Sequence, residues 1–251
     1  MTFYQNKIKE MTMVGWDFSY LEGKIKETDY PFNYVTIVKK YLKRDNQLLD
    51  LETGGGEVLL TLDHPFNNTT VTEGYKPNYE LCLKRLKPKG VTVLNAFGDD
   101  VLPLEDHSFD VIINRHGSYS VSEIKRLLKP GGLFITQQVG GLNNLPLSQL
   151  LSPNRQIQPF NLHTELQQFK ENGFILIESD EVYSDVKYLD IEAVIFMAKM
   201  IEWEFPGFDV VNCEKQLEDI ETCINETGSF VSFEHRFYMV HQLLDTGNEI
   251  I

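Results

Sequence analysis

Cysteine is scarce in this sequence of 251 residues: Cys82, Cys213 and Cys223 are the full complement. They are odd in number, far apart and without a CxxC spacing, so neither a disulfide framework nor a zinc or other metal site is signalled, and reduced thiols are expected. Long apolar runs are also missing. No window approaches the roughly 20 apolar residues that a membrane-spanning helix needs. The opening MTFYQNKIKEMTMVGWDF lacks the apolar core of a signal peptide, which leads to the expectation of a soluble, cytoplasmic protein that makes no use of a membrane. Positive charge is in deficit, with 23 Lys and Arg against 37 Asp and Glu and a formal charge of -14. Wide contact with nucleic-acid phosphates draws on clustered basic side chains, so nucleic acid is a disfavoured partner. Internal repeats and low-complexity segments are absent as well, which excludes solenoid architectures.

What the sequence does contain is a 42% hydrophobic composition, enough for one substantial core. After residue 46 it also shows a regular alternation of strand and helix patterns. QLLDLE reads as a strand, GEVLLTLD as a helix, TTVTEGY as a strand and PNYELCLKRLKPKG as a helix ended by Gly90. VTVLNAF and FDVIINR are further strands, separated by the turn-forming DDVLPLEDHS. VSEIKRLLKPGG is a helix with Ser122 as its N-cap and Pro130-Gly131-Gly132 as its stop, followed by the strand LFITQQV. An amphipathic helix over Leu162 to Asn172, the strand FILIES and the late strand FVSFEHRFYMV complete the series. Strands alternating with helices imply a parallel sheet with helices on both faces. Residues 1–45, with an amphipathic helix over Tyr34 to Leu42, are expected to form an N-terminal helical cap. The segment 180–229, with helices over Asp190 to Glu204 and Cys213 to Glu226, is expected to be an insertion in the domain spanning 46–251.

Chemistry concentrates in LLDLETGGGEVLL, residues 48–60, where a buried-type strand delivers Asp50 into a glycine turn. Glycine lets a chain turn sharply and lets a ligand approach the backbone without interference from Cβ. A glycine turn alone serves packing as often as binding. Here Glu73 ends the next strand, about 20 residues on, where a carboxylate can accept both ribose hydroxyls of an adenosine-containing cofactor. After the third strand comes Gly98-Asp99-Asp100, where an Asp can accept from an adenine amine while Phe97 and Val101 add apolar contact; Asp is also an ordinary turn residue.

The ordered set LLDLETGGGE, an acid at 73, GDD before LPLEDHSFDVIINR, and RLLKPGGLFIT resembles class I S-adenosylmethionine-dependent methyltransferases, especially their small-molecule branch. The likeness covers roughly residues 46–140. It implies a Rossmann-like seven-stranded sheet whose last strand is antiparallel, S-adenosylmethionine as cofactor and a small-molecule acceptor. It also implies cofactor contacts from Asp50, Thr53, Gly54, Gly56, Glu73, Gly98, Asp99 or Asp100, and Asn114-Arg115. The sequence departs from the family's G-x-G-x-G turn at Glu52, which replaces the first glycine. If the fold holds, the Glu52 carboxylate is expected to face the ammonium or the sulfonium of the cofactor. The competing reading is a cofactor site that has decayed, leaving a non-catalytic protein of the same fold. A nicotinamide-dependent oxidoreductase is the other rival, but Gly54-Gly55-Gly56 is followed by Glu57-Val58-Leu59, so the third glycine of G-x-G-x-x-G is missing.

Methyl transfer is a displacement in which the enzyme positions the nucleophile and excludes water; a base helps only where the nucleophile must lose a proton. In NRHGSYS, just past the fourth strand, His116 is the candidate base, with Tyr119 beside it. The 180–229 insertion is expected to hang over the carboxyl ends of the strands as a substrate lid, with Tyr183, Tyr188, Glu202, Trp203 and Glu204 as contacts, joined by Trp16 and Tyr20. The plainer expectation is that Phe196, Met197, Met200, Trp203 and Phe205 form the apolar stripe of a packed helix.

Overall fold

The computed structural model of the protein describes residues 3–11 and 18–245, so Trp16 lies outside the described residues. In chain order the elements are α1 (Phe3–Glu10), β1 (Ile25–Glu27), α2 (Tyr34–Tyr41), β2 (Leu48–Leu51), α3 (Glu57–Thr61), β3 (Thr69–Thr72), α4 (Lys76–Arg85), β4 (Thr92–Leu94) and β5 (Phe109–Arg115). There follow α5 (Val121–Leu127), β6 (Leu128–Val139), α6 (Leu145–Leu151), α7 (Leu162–Glu171), β7 (Phe174–Tyr188), α8 (Ile191–Met200), α9 (Glu214–Thr227) and β8 (Phe230–Leu243). They fall into two compact units. Among the described residues, one comprises 3–11, 18–31, 140–159 and 182–236, the other 32–139, 160–181 and 237–245, so that β7 and β8 contribute to both.

In the second unit the strands run in the order β7-β8-β6-β5-β2-β3-β4. All four residues of β2 are buried, as a strand covered on both faces requires. It pairs in parallel with β3 on one side, Asp50 opposite Val71, and with β5 on the other, Asp50 opposite Ile113. The chain therefore leaves β2 toward β3 and β4, then returns to β2's other side as β5. That reversal leaves a crevice at the carboxyl ends, the place where open α/β sheets bind ligands. The last strand, β8, runs antiparallel to β6: Gln242 donates to the Gly131 carbonyl while the Gly140 amide donates to the His235 carbonyl. Two apolar clusters pack the sheet, one around Phe134, Phe169 and Phe237, the other around Leu48, Val71 and Ile135.

Two local expectations give way. Ser120, not Ser122, caps α5: Ser120 has extended backbone and accepts from the Glu123 amide, whereas Ser122 already lies within the first turn. The LKPGG segment does not end the helix but opens β6. Leu128 pairs with Phe109 while Leu133 pairs with Val111, so Pro130, Gly131 and Gly132 are accommodated in a bulge between them.

In the first unit, β1 pairs antiparallel with the end of β7, Ile25 opposite Tyr188. It is an eighth strand, beyond the seven expected. The expected helices appear as α8, capped by Asp190 through the Ala193 amide, and α9, while β7 runs on from the expected strand FILIES through residues 180–188. Phe196 and Phe205 are fully enclosed in this unit's core, with Met197 and Met200 against it, as the packed-stripe expectation has it. Trp203 is the exception, at 62% exposed. No helix among the described residues is long and apolar enough to cross a membrane.

One core residue carries a pH dependence. The His241 ring on β8 stacks on Phe169 with centroids 4.6 Å apart, meets Phe174 edge-on and leaves Nδ1 without a partner. Burial lowers its pKa from 6.5 to about 4, because the charged form has no water to solvate it. The unfolded chain thus takes up a proton that the folded chain refuses. Stability is fully present above pH 6.5 and declines as pH falls toward about 4, by on the order of 3 kcal/mol in total. Denaturant titrations across this range are expected to show that decline, and His241→Phe to flatten it; an unaltered slope in the variant would refute the assignment.

Candidate active site

The crevice is built from four loops of the second unit. The first, Glu52 to Gly56, leaves β2 with left-handed backbone at Glu52 (φ 55°), Gly54 (φ 64°) and Gly56 (φ 80°). Gly56 also faces the Leu86 side chain, whose Cδ1 would lie 2.9 Å from an added Cβ. The loop is anchored to β3: the Glu52 amide donates to the Thr72 hydroxyl and the Thr53 amide to the Thr72 carbonyl. Within it the Thr53 hydroxyl donates to Asp50 at 2.6 Å.

Glu73, at the end of β3, points into this loop. Its Oε2 accepts from the Gly54 amide at 2.9 Å and its Oε1 from the Tyr75 amide at 2.8 Å, and its side chain is almost wholly buried. Burial drives the Glu73 pKa up, helped by the Glu52 charge and opposed by the two amides. Asp50 is desolvated too: burial pushes its carboxyl up to about 7, with the Thr53 hydroxyl opposing and the Glu73 charge reinforcing the shift. The residues that the sequence separates by a strand and a helix thus meet at one place, as a cluster of acidic groups.

The third loop follows β4. The Phe97 amide donates to Asp100, which commits that carboxylate to closing its own turn, whereas Asp99 accepts from the Ser118 hydroxyl at 3.1 Å. Of the two, Asp99 faces the crevice. Phe97 and Val101 are 50% and 85% exposed, apolar surface that the core has not claimed.

The fourth loop follows β5. Asn114 is fully buried and spent internally: Nδ2 donates to the Leu51 carbonyl, and Oδ1 accepts from Gln138 and Thr136. Its role here is to tie strand ends together, while Arg115 beside it is exposed. His116 is exposed, has left-handed backbone (φ 62°) and meets the Gln137 amide nitrogen through Nε2 at 3.0 Å. Tyr119 turns the other way, packing on Phe134 and Phe169 and donating to Glu165 at 2.6 Å. The structure therefore brings His116, but not the Tyr119 hydroxyl, to the loop surface. Gly117 and Ser118 went unnoticed in the sequence. Only their position between the two singled-out residues in NRHGSYS could have drawn attention to them.

The Glu52 carboxylate joins these loops. Its Oε1 accepts from the Gly98 amide at 2.7 Å and from the Ser118 hydroxyl at 2.9 Å. A Cβ on Gly117 would lie 2.7 Å from the Glu52 Cβ, and one on Gly98 would lie 2.1 Å from the Ser118 carbonyl oxygen.

In the first unit, Tyr183 is half-exposed and stacks on His235, while Glu202 is exposed. Tyr188 and Glu204 are buried: the tyrosine donates to Asn144, and the glutamate accepts from Asn143 and Asn144. Tyr20 stacks on Phe196.

Residues 49–136 match the family of the methyltransferase domain. Comparison with curated proteins gives no match. Among solved structures, the chain is similar to the YcgJ protein of Bacillus subtilis, at 16% identity and a TM-score of 0.58, over 84% of this chain and 98% of that one. A functionally unknown protein of Deinococcus radiodurans R1 aligns at 13% identity and a TM-score of 0.58, over 96% and 99%. The [4+2]-cyclase SpnF aligns at 15% identity and a TM-score of 0.54, over 84% and 79%. At such identities these likenesses speak for the fold alone.

The geometry separates two glycines of the site. An added Cβ at Gly54 meets nothing within 4 Å, so Gly54→Ala is expected to cost about 1 kcal/mol of unfolding free energy through its left-handed backbone. Gly98→Ala drives Cβ into a backbone oxygen and is expected to cost about 2 kcal/mol or more. Equal losses in thermal melts would contradict the loop packing.

Proposed function

We propose that this chain, whose residues 49–136 match the family of the methyltransferase domain, is a class I S-adenosylmethionine-dependent methyltransferase that transfers the methyl group of that cofactor to a small-molecule acceptor. The observation that supports it best is the hydrogen bond from the Gly54 amide to Glu73, because it puts the glycine turn and the distal carboxylate at a single site. The residues present suit the cofactor's chemistry: carboxylates for hydroxyls and cations, and exposed Phe97 and Val101 for an apolar ring face. When bound, the cofactor supplies a methyl group activated on a sulfonium.

In this reading Thr53, Gly54 and Gly56 hold the methionyl end through the backbone. Asp50 and Glu52 supply the field that favours its cationic groups. Glu73 takes the ribose hydroxyls by exchanging the Gly54 amide for them. Gly98 and Asp99 serve the adenine, with Asp100 shaping their turn. Asn114 holds the floor, and Arg115 stands at its edge. His116 is the base for acceptors that must lose a proton. The acidic surroundings favour acceptors that are neutral or cationic.

The direct test is calorimetric titration of the purified chain with S-adenosylmethionine and S-adenosylhomocysteine. Glu73→Gln is expected to weaken binding by about tenfold or more, since a hydroxyl then loses a charged acceptor. No binding by the folded wild type would end the proposal. A pH dependence accompanies it. A bound cation favours the ionised form of Asp50, whose carboxyl sits at about 7 in the free protein, so binding releases a proton. Affinity for S-adenosylmethionine is therefore expected to rise from about pH 6 to about pH 8, by at most about tenfold per unit. Asp50→Asn is expected to remove that slope; an equal slope in the variant would exclude Asp50 as its source.

A further inference from the structure

The geometry points to Glu52 as a latch that closes the cofactor crevice and, on release, favours the sulfonium form of the cofactor over its neutral product. The inference rests on the cofactor reading above.

Glu52 sits at the reversal of strand order, where the chain has left β2 for β3 and will return as β5. Its backbone is left-handed, a conformation that costs a residue with a Cβ on the order of 1 kcal/mol and that glycine adopts without strain. The side chain that this strained backbone aims outward reaches the loops after β4 and β5 together, through the Gly98 amide at 2.7 Å and the Ser118 hydroxyl at 2.9 Å. Charged hydrogen bonds of this kind are about twice as strong as neutral ones. A ligand lying between the loops after β2, β4 and β5 must first break them. Every ligand meets that cost.

The return is not the same for every ligand. The Ser118 hydroxyl lies within reach of Glu52 and of Asp99, at 2.9 and 3.1 Å, but it has one proton to donate. One of the two carboxylates is therefore always short of that donor, in a place that also holds the carboxyl groups of Asp50 and Glu73. A carboxylate freed here gains an ion pair from a positively charged sulfur and nothing from a thioether. Glu52 consequently holds the crevice shut in the free protein and helps to expel the demethylated product. It is a residue of selectivity and closure, with no bond made or broken by it.

The test is calorimetric titration of the wild type, Glu52→Gly and Ser118→Ala with each of the two cofactor forms, with thermal melts to confirm folding. Glu52→Gly is expected to bind S-adenosylhomocysteine about tenfold more tightly and S-adenosylmethionine with a clearly smaller gain, since it loses both the latch and the ion pair. Ser118→Ala frees one catch and keeps the charge, so both forms should gain several-fold alike. Amide exchange at Gly98 should quicken in both variants. Unchanged or weaker binding of S-adenosylhomocysteine by both, with a wild type that binds, would overturn the latch and leave the cofactor reading standing. If the folded wild type binds neither form, the cofactor reading falls and the latch with it. Should Glu52→Gly fail to fold, Ser118→Ala carries the test of closure.

Discussion

The buried amide of Asn114 is the constraint on which the crevice depends. A primary amide shut away from water must be satisfied on both its oxygen and its nitrogen, and here β2 supplies an acceptor while Thr136 and Gln138 of β6 supply donors. Displacing any one of these strand ends would strand a polar group in the interior. The central strands are therefore held flush at their carboxyl ends, and the loops that leave them start from fixed positions. Tyr34 reinforces the arrangement from α2 by donating to the Asn114 carbonyl.

On that rigid floor the loops are joined by carboxylates rather than by apolar packing. Glu73 takes up amides of its own loop and of the glycine turn, and Glu52 takes up an amide and a hydroxyl from the two loops opposite. Such contacts are strong in partly dry surroundings, yet they exchange readily for a ligand's own donors, which apolar contacts do not. The desolvated Asp50 adds a charge that is costly in the free protein and that a cation would relieve.

The solved structures of similar fold include one described as a [4+2]-cyclase. A shared sheet thus leaves open what chemistry a chain performs. For this chain the distinguishing detail is the acid at position 52, whose carboxylate joins the loops after β4 and β5.

Much of this was legible in the residues themselves. The alternation after residue 46, the buried strand ending in Asp50, the glycine turn and the acid at 73 depend on neighbours close in sequence or on spacings set by one strand and one helix, so local pattern carries them. The extra strand at Ile25–Glu27 is short and polar, and only its pairing with the end of β7 makes it a strand. The proline and glycines after α5 look like a helix stop, but the register between Phe109 and Val111 turns them into a bulge. For Tyr119, expected just past a strand, and Asn114, implied by the family resemblance, only the fold reveals the partners: Tyr119 packs against Phe134 and Phe169, and the Asn114 amide is held in internal hydrogen bonds. Glu52 was visible as an anomaly, but its partners lie 46 and 66 residues away, and no spacing rule connects them. Side-chain direction and hydrogen-bond partnership across loops arise from the sum of many distant contacts, and only the folded chain evaluates that sum.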